Sequence, residues 1–259
     1  MYKDLNILVS SFPIPPPTVR HETEEMVGED GVIDVGTTYD VRTITAKCKM
    51  TAVDAYDYEL LRNELFRVMD SKEAFYIVRD IEPGKRWLVK YNGSYSLTQK
   101  AQRGKFDIEF ISFYPYSESV GRTMDPFTVD SELWQVGMGL IDDDESQIYT
   151  YTKTNFRIYN AGDIEVNPRK HDLLVTFKGP STNLKIKNTT TGDEWSYNET
   201  TASGDTIKLY NIKSLKNELS IFSKTNRKLI TLAPGWNDFV ISGTTGAFTI
   251  SFDFRYRYF

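Results

Sequence analysis

Two rhythms of apolar residues run along the chain. Between residues 39 and 50 the pattern alternates. Ile44, Ala46, Cys48 and Met50 fall on one face, with Arg42, Thr43, Thr45, Lys47 and Lys49 beside them, which predicts a half-buried strand. Residues 52–70 change to steps of three and four. There Val53, Tyr56, Leu60, Leu61, Leu65, Val68 and Met69 form a stripe that predicts a helix lying on a sheet. Thr51 followed by Asp54 reads as its capping box. The alternating rhythm then returns. Residues 74–78 and 87–91 predict a hairpin, with Glu82-Pro83-Gly84-Lys85 as its turn. Residues 105–114 predict a long strand with Phe106, Ile108 and Phe110 on one face and Ile111 and Phe113 across a register change.

After residue 150 the chain reads as strand and turn throughout. Short strands are expected at 156–159, 173–177, 184–188, 207–210 and 229–232, with a last one from Ile250. They are punctuated by Asn160-Ala161-Gly162-Asp163, Gly179-Pro180, Thr190-Thr191-Gly192-Asp193 and Pro234-Gly235-Trp236-Asn237. Strands at this spacing predict a β-sandwich. The last strand fits either this sandwich or a return to the first domain. The fold class is therefore mainly β: an N-terminal β-sandwich-like domain with one covering helix, then a second β-sandwich. Expected bounds are 1–130 for the first domain, 131–150 for a junction and 151–259 for the second. The junction is drawn where regular patterning lapses, around Pro115, Gly121, Pro126, Gly137, Gly139 and the run Asp142-Asp143-Asp144-Glu145.

Composition agrees with β structure, because 14% of the 259 residues are aromatic. Charge sharpens the division. The net charge is −5, but residues 1–135 carry −6 and residues 136–259 carry +1. A single cysteine, Cys48, excludes an internal disulfide and fits synthesis in a cytoplasm without oxidative folding. Cys48 itself reads as a small core residue. With only His21 and His171 besides, a zinc site has too few ligands. No apolar run approaches the roughly 18 residues of a membrane span. No Gly-x-Ser-x-Gly elbow, phosphate-binding glycine loop or His-Glu-x-x-His pattern occurs, so no catalytic residue is named. No cofactor or metal is expected. The Asp142–Glu145 run lacks the glycine and ligand alternation of an EF-hand and reads as a solvated linker.

Three groups of residues draw interest. Glu22, Glu24, Glu25, Glu29 and Asp30 form an acidic loop. It reads either as plain solvated surface or as the wall of a passage that repels phosphate. Pro13, Pro15, Pro16 and Pro17 hold the chain extended, as a rigid surface loop or as an arm onto a neighbouring subunit. Trp195, Tyr197 and Trp236 could stack on a saccharide or fill a core.

Several segments carry a family resemblance. They are Gly28-Glu29-Asp30-Gly31-Val32-Ile33-Asp34 with Arg42 beyond it, and the helix around residues 57–65. They continue through Asp80 with Pro83-Gly84-Lys85-Arg86-Trp87 to Phe113-Tyr114-Pro115-Tyr116-Ser117. The second half adds Ile158 to Asp163 with Pro168, residues 184–192, Pro234-Gly235-Trp236-Asn237 and the terminal residues 250–259. In this order and spacing they resemble the distal tail protein (Dit) family of long, non-contractile phage tails. The resemblance implies a structural virion protein at the distal end of the tail. Its first domain would close a homo-hexameric ring, and its second would be a galectin-like, jelly-roll sandwich facing outward. The implied partners are the major tail tube protein, the tail-associated lysin or tip hub protein, the tape-measure protein, and a receptor-binding protein or host cell-wall saccharide. Sequence-specific nucleic acid and membranes are not among them. The alternative is a carbohydrate-binding module or host-surface adhesin with no ring role.

Overall fold

The computed structural model describes residues 5–70, 72–93, 98–140 and 144–259. The chain divides into two compact units. One comprises residues 1–79, 86–117 and 259, and the other residues 80–85 and 118–258.

In chain order, the first part contains β1 (Ile7–Ser11), β2 (Val19–Glu24), β3 (Ile33–Tyr39), β4 (Arg42–Thr51), α1 (Ala55–Val68), β5 (Phe75–Arg79), β6 (Glu82–Tyr91), β7 (Thr98–Lys100) and β8 (Arg103–Ser112). The main sheet of the first unit runs β1-β4-β8-β6, with β5 on β6 and β7 on β8. β4 and β8 pair antiparallel without a break from Arg42↔Ser112 to Thr51↔Arg103. The expected alternation holds: Ile44, Ala46, Cys48 and Met50 meet Phe106, Ile108 and Phe110 in one core. The expected register change in β8 is absent. Burial alternates straight through Ser112, and Phe113 lies beyond the strand, exposed.

The helix exists, but it presents another face. Tyr58 and Leu65 on α1, with Met69 at its end, are buried, and Leu61 packs against them. Val53, Tyr56, Leu60 and Val68 point to solvent. Spacing alone could not separate the two faces, because both carry apolar residues three or four apart. The cap also differs from expectation. Asp54 is the N-cap and accepts from the Asp57 amide at 2.8 Å, while Asp57 Oδ2 accepts from the Val53 amide at 2.8 Å. This is a variant of the capping box, with aspartate in the glutamate role and its return bond reaching the residue before the N-cap. α1 can lie on β8 because residue 104 is glycine: a Cβ there would overlap the Tyr58 hydroxyl.

The hairpin turn lies earlier than expected. β5 and β6 are joined by Asp80 and Ile81, and Pro83 and Gly84 are inside β6. Gly84 serves close packing here, not turning: a Cβ would sit 2.6 Å from Met138 Sδ, a residue of the same unit.

The later strands are β9 (Ser117–Ser119), β10 (Thr150–Tyr151), β11 (Asn155–Asn160), β12 (Leu173–Lys178), β13 (Ser181–Asn188), β14 (Glu194–Ser196), β15 (Thr200–Thr201), β16 (Thr206–Tyr210), β17 (Lys213–Lys216), β18 (Leu219–Ser220), β19 (Gly235–Thr244), β20 (Thr249–Phe254) and β21 (Arg257–Tyr258). Two sheets form the second unit: β10-β20-β12-β16-β17-β18, and β11-β19-β13-β14 with β15 on β13. Their inner faces interlock through aromatic rings. Phe156 of β11 stacks on Phe239 of β19 at 5.6 Å, and Phe239 meets Phe252 of β20 at 4.8 Å. The last long strand, β20, pairs with β12 and so belongs to this sandwich, whereas the short final strand β21 pairs with β9 at the end of the sheet that begins β1-β4-β8-β6.

Two expectations for this half need correction. Residues 229–232 form no strand beyond a single bridge, Val166↔Leu232. Gly235, Trp236 and Asn237 begin the long strand β19 instead of making a turn. The lone bridge leaves Asn237 buried, and its side chain completes the local hydrogen bonding. It accepts from the Ala233 amide at 2.8 Å and donates to the Ala233 and Gly235 carbonyls. Residues 122, 123 and 149 also pack here. Thr123 Oγ1 donates to the Phe252 carbonyl at 2.8 Å, Arg122 Nε reaches Asp253 at 2.7 Å, and Tyr149 shares a 2.6 Å hydrogen bond with Tyr256.

Candidate assembly surfaces

The prolines leave β1 and lead into a feature that stands apart from both sheets. Phe12 and Ile14 are anchored on the first core, with Phe12 meeting Phe110 edge-on at 6.2 Å. Pro13, Pro15 and Pro16 are exposed and Pro17 is half-buried. They form a stiff base for the two-stranded ribbon β2–β3. The Asp40 amide closes that base by donating to Thr18 at 2.8 Å, and Tyr39 meets Tyr116 edge-on at 6.3 Å.

Along the ribbon, every residue of β2 is exposed, and in β3 only Gly36 is partly covered. The bend after β2 exposes Met26, Val27 and Val32, while Ile33 and Val35 are exposed on β3. Glu22, Glu24, Glu25, Glu29 and Asp30 are all on this ribbon or its bend. His21 is there too, with Nδ1 2.9 Å from Thr37 Oγ1.

Arg42, the first residue of β4, is 3% exposed and lies on the core face, not beside it as the alternation suggested. Its guanidinium carbon sits 4.7 Å from the centre of the Trp87 ring. Nε and Nη2 have no hydrogen-bond partner, and burial lowers its pKa. Cys48 is buried on the same face, and burial, with Asp107 adding to it, pushes its thiol up to about 11. Such a thiol is inert at neutral pH.

In the second unit Trp195 and Tyr197 are each about 1% exposed and belong to the core. Trp195 Nε1 donates to Ser214 Oγ at 3.2 Å, and Tyr197 donates to Glu199 at 3.1 Å. Neither offers a ring face to a saccharide. Trp236 is half-buried beside Tyr159, with the Arg157 guanidinium 4.3 Å from its ring centre and Asp238 3.2 Å from Arg157 Nε. His171 is buried. Its Nδ1 accepts from the Asn167 amide at 3.1 Å. Burial first, then the charges of Arg257 and Lys170, lowers its pKa to about 4. Most of the acidic run Asp142–Glu145 lies outside the described residues. Among the described residues, no group of His, Cys, Asp and Glu could hold a metal ion, and no helix is long and apolar enough to cross a membrane.

A family model for the phage tail protein RIFT-related domain matches residues 2–112. That region is similar to a phage tail domain. It takes in β1 to β8, and so includes the ribbon and the buried Arg42. The resemblance seen in the sequence also extends to the fold of the whole chain. The crystal structure of Dit (gp 19.1) from phage SPP1 superposes with a TM-score of 0.71 at 12% identity, covering 97% of this chain and 95% of that one. Chains of the phage p2 baseplate in its activated conformation, with Sr or Ca, align at TM-scores of 0.41 and 0.39, with 11% and 12% identity. They cover 95% and 92% of this chain and 90% and 87% of theirs. No curated protein sequence matches this chain significantly.

Proposed function

We propose that six copies of this chain close a ring at the distal end of a long, non-contractile phage tail. The ring joins the tail tube to the tip hub and surrounds the path of the tape-measure protein and the DNA. The similarity of residues 2–112 to a phage tail domain supports a role in the tail. The fold of SPP1 Dit over nearly the whole chain supports a position at the hub, because that protein is described as a paradigm of the hub adsorption apparatus in phages infecting Gram-positive bacteria.

The observation that carries the reading is the β2–β3 ribbon. An isolated two-stranded hairpin is marginal in water. One this exposed, with apolar side chains at its bend, needs a surface to complete it. The burial of Trp195 and Tyr197 leaves the rival saccharide-binding reading with Trp236 alone, and Arg157 lies over that ring. The protein works by shape and contact, with no bond made or broken. In the ring the second domain faces outward, towards the receptor-binding machinery.

Negative-stain images of the purified chain test this directly. Rings with a central hole are the expected result. Monomers at every concentration and salt would overturn the reading.

A further inference from the structure

The open face of the main sheet is strongly basic. β4 and β8 are in unbroken register, so the residues that point away from the core can be placed row by row. Lys49 is directly opposite Lys105, Lys47 opposite Asp107, and Thr51 opposite Arg103. β7 extends the same rows, with Lys100 opposite Arg103 and Thr98 opposite Lys105. Five cations and one carboxylate thus share one end of one face. Lys47, Lys49, Lys100, Arg103 and Lys105 are all exposed, and among the described residues none of them is in an ion pair. Like charges directly opposite on neighbouring strands destabilise a sheet. This face therefore carries a cost in the isolated chain that an anionic partner would remove.

The same chain holds the complementary charge. Residues 21–34 contain six carboxylates and no Lys or Arg, and the β2 and β3 parts of this stretch are exposed. The two patches do not meet within one molecule, because both stay open to solvent. We infer that the acidic ribbon of one copy docks on the basic sheet face of the next copy. This inference rests on the ring reading above. A contact between two different patches of identical chains is heterologous, and such contacts close into rings when the rotation allows. It gives Glu22, Glu24 and their neighbours a subunit partner, in place of the passage wall considered from the sequence.

The test uses full-length protein and native mass spectrometry, with circular dichroism to confirm folding. One variant carries Lys47→Glu, Lys49→Glu and Lys105→Glu, and the other carries Glu22→Lys, Glu24→Lys, Glu25→Lys and Glu29→Lys. Each variant alone is expected to lose the oligomer, since its two patches then have the same sign. An equimolar mixture is expected to recover it, with the two variants in equal numbers. Raising salt from low to about 0.5 M is expected to weaken wild-type assembly by about tenfold or more, as screening of charge pairs requires. If a reversal variant misfolds, Lys49→Gln with Lys105→Gln and Glu22→Gln with Glu24→Gln replace it, and each should weaken assembly in the same direction. Wild-type rings with variant rings of equal stability would overturn this inference and leave the ring reading intact. A wild-type monomer under all conditions would overturn both. Intact variant rings that have lost binding to a short DNA duplex would assign the basic face to nucleic acid and also overturn the inference.

Discussion

The two units of this chain handle polar and apolar surface in opposite ways. The second closes on itself. Its aromatic rings bridge the two sheets, and its buried asparagines are bonded: Asn188 donates to Thr231 and to Asn237, and Asn160 holds the Gly162 amide. Several of its surface charges are paired, as in Lys216 with Asp205 at 2.9 Å and Lys224 with Glu199 at 2.7 Å. The first unit is left incomplete. Five of the six buried polar atoms without a partner among the described residues are on its Arg42, Tyr58, Arg62 and Ser117. It also carries most of the large apolar side chains that remain exposed, together with a predominantly basic end of one sheet face. A domain that keeps such liabilities is built to be completed by neighbours. A domain that resolves them internally can be displayed at a surface without sticking.

The sharpest way to break this contrast is to damage the self-sufficient unit. Phe252→Ala removes a fully buried ring that links both sheets, and should lower unfolding free energy by about 3–5 kcal/mol in a urea titration. A loss below about 1 kcal/mol would mean the sandwich core is loose. Asn237→Leu leaves the Ala233 amide and the Asn188 amide without their acceptor. It should cost about 1–3 kcal/mol by the same measurement.

His171 supplies a pH signature. The unfolded chain takes up its proton near pH 6.5, but the folded chain does so only near 4. The unfolded state therefore holds more protons in that window, and stability falls as pH drops from about 6.5 to 4. The slope approaches about 1.4 kcal/mol per pH unit. His171→Gln should flatten that slope, and an unchanged slope would show that another group sets it. The smallest effect is expected on the outer face of α1. Tyr56→Ser with Leu60→Ser should shift thermal stability of the unassembled chain by no more than about 0.5 kcal/mol, because these side chains are exposed. A larger loss would show that this face is covered within the chain.

The strands with one buried face were readable from alternation, β4 above all, although the register change expected in β8 is absent. The helix was readable in extent but not in orientation. Tyr58 defines the buried side, yet it lies among polar neighbours, while Tyr56 and Leu60 imitate a core stripe. Gly84 misled in a different way. Beside proline it has the look of a turn, but its role is a close approach to a residue far away in sequence. Leu229 to Leu232 is apolar enough for a strand and lacks the pairing partners to become one. The acidic ribbon was visible as composition. The basic face was not, because its five cations come from three strands and meet only through their register.

In the proposed ring, the proline base of the ribbon would bear on how fast copies find each other. An arm already folded and held off the core presents its charge before contact, so little chain ordering remains for the moment of encounter. Opposite charge on the neighbour of the inferred contact would then pull the two together over a Debye length, and such steering raises association rates by about 10- to 1,000-fold at low ionic strength. Replacing Pro15 and Pro16 with glycine would leave every docking contact in place and slow the approach to it.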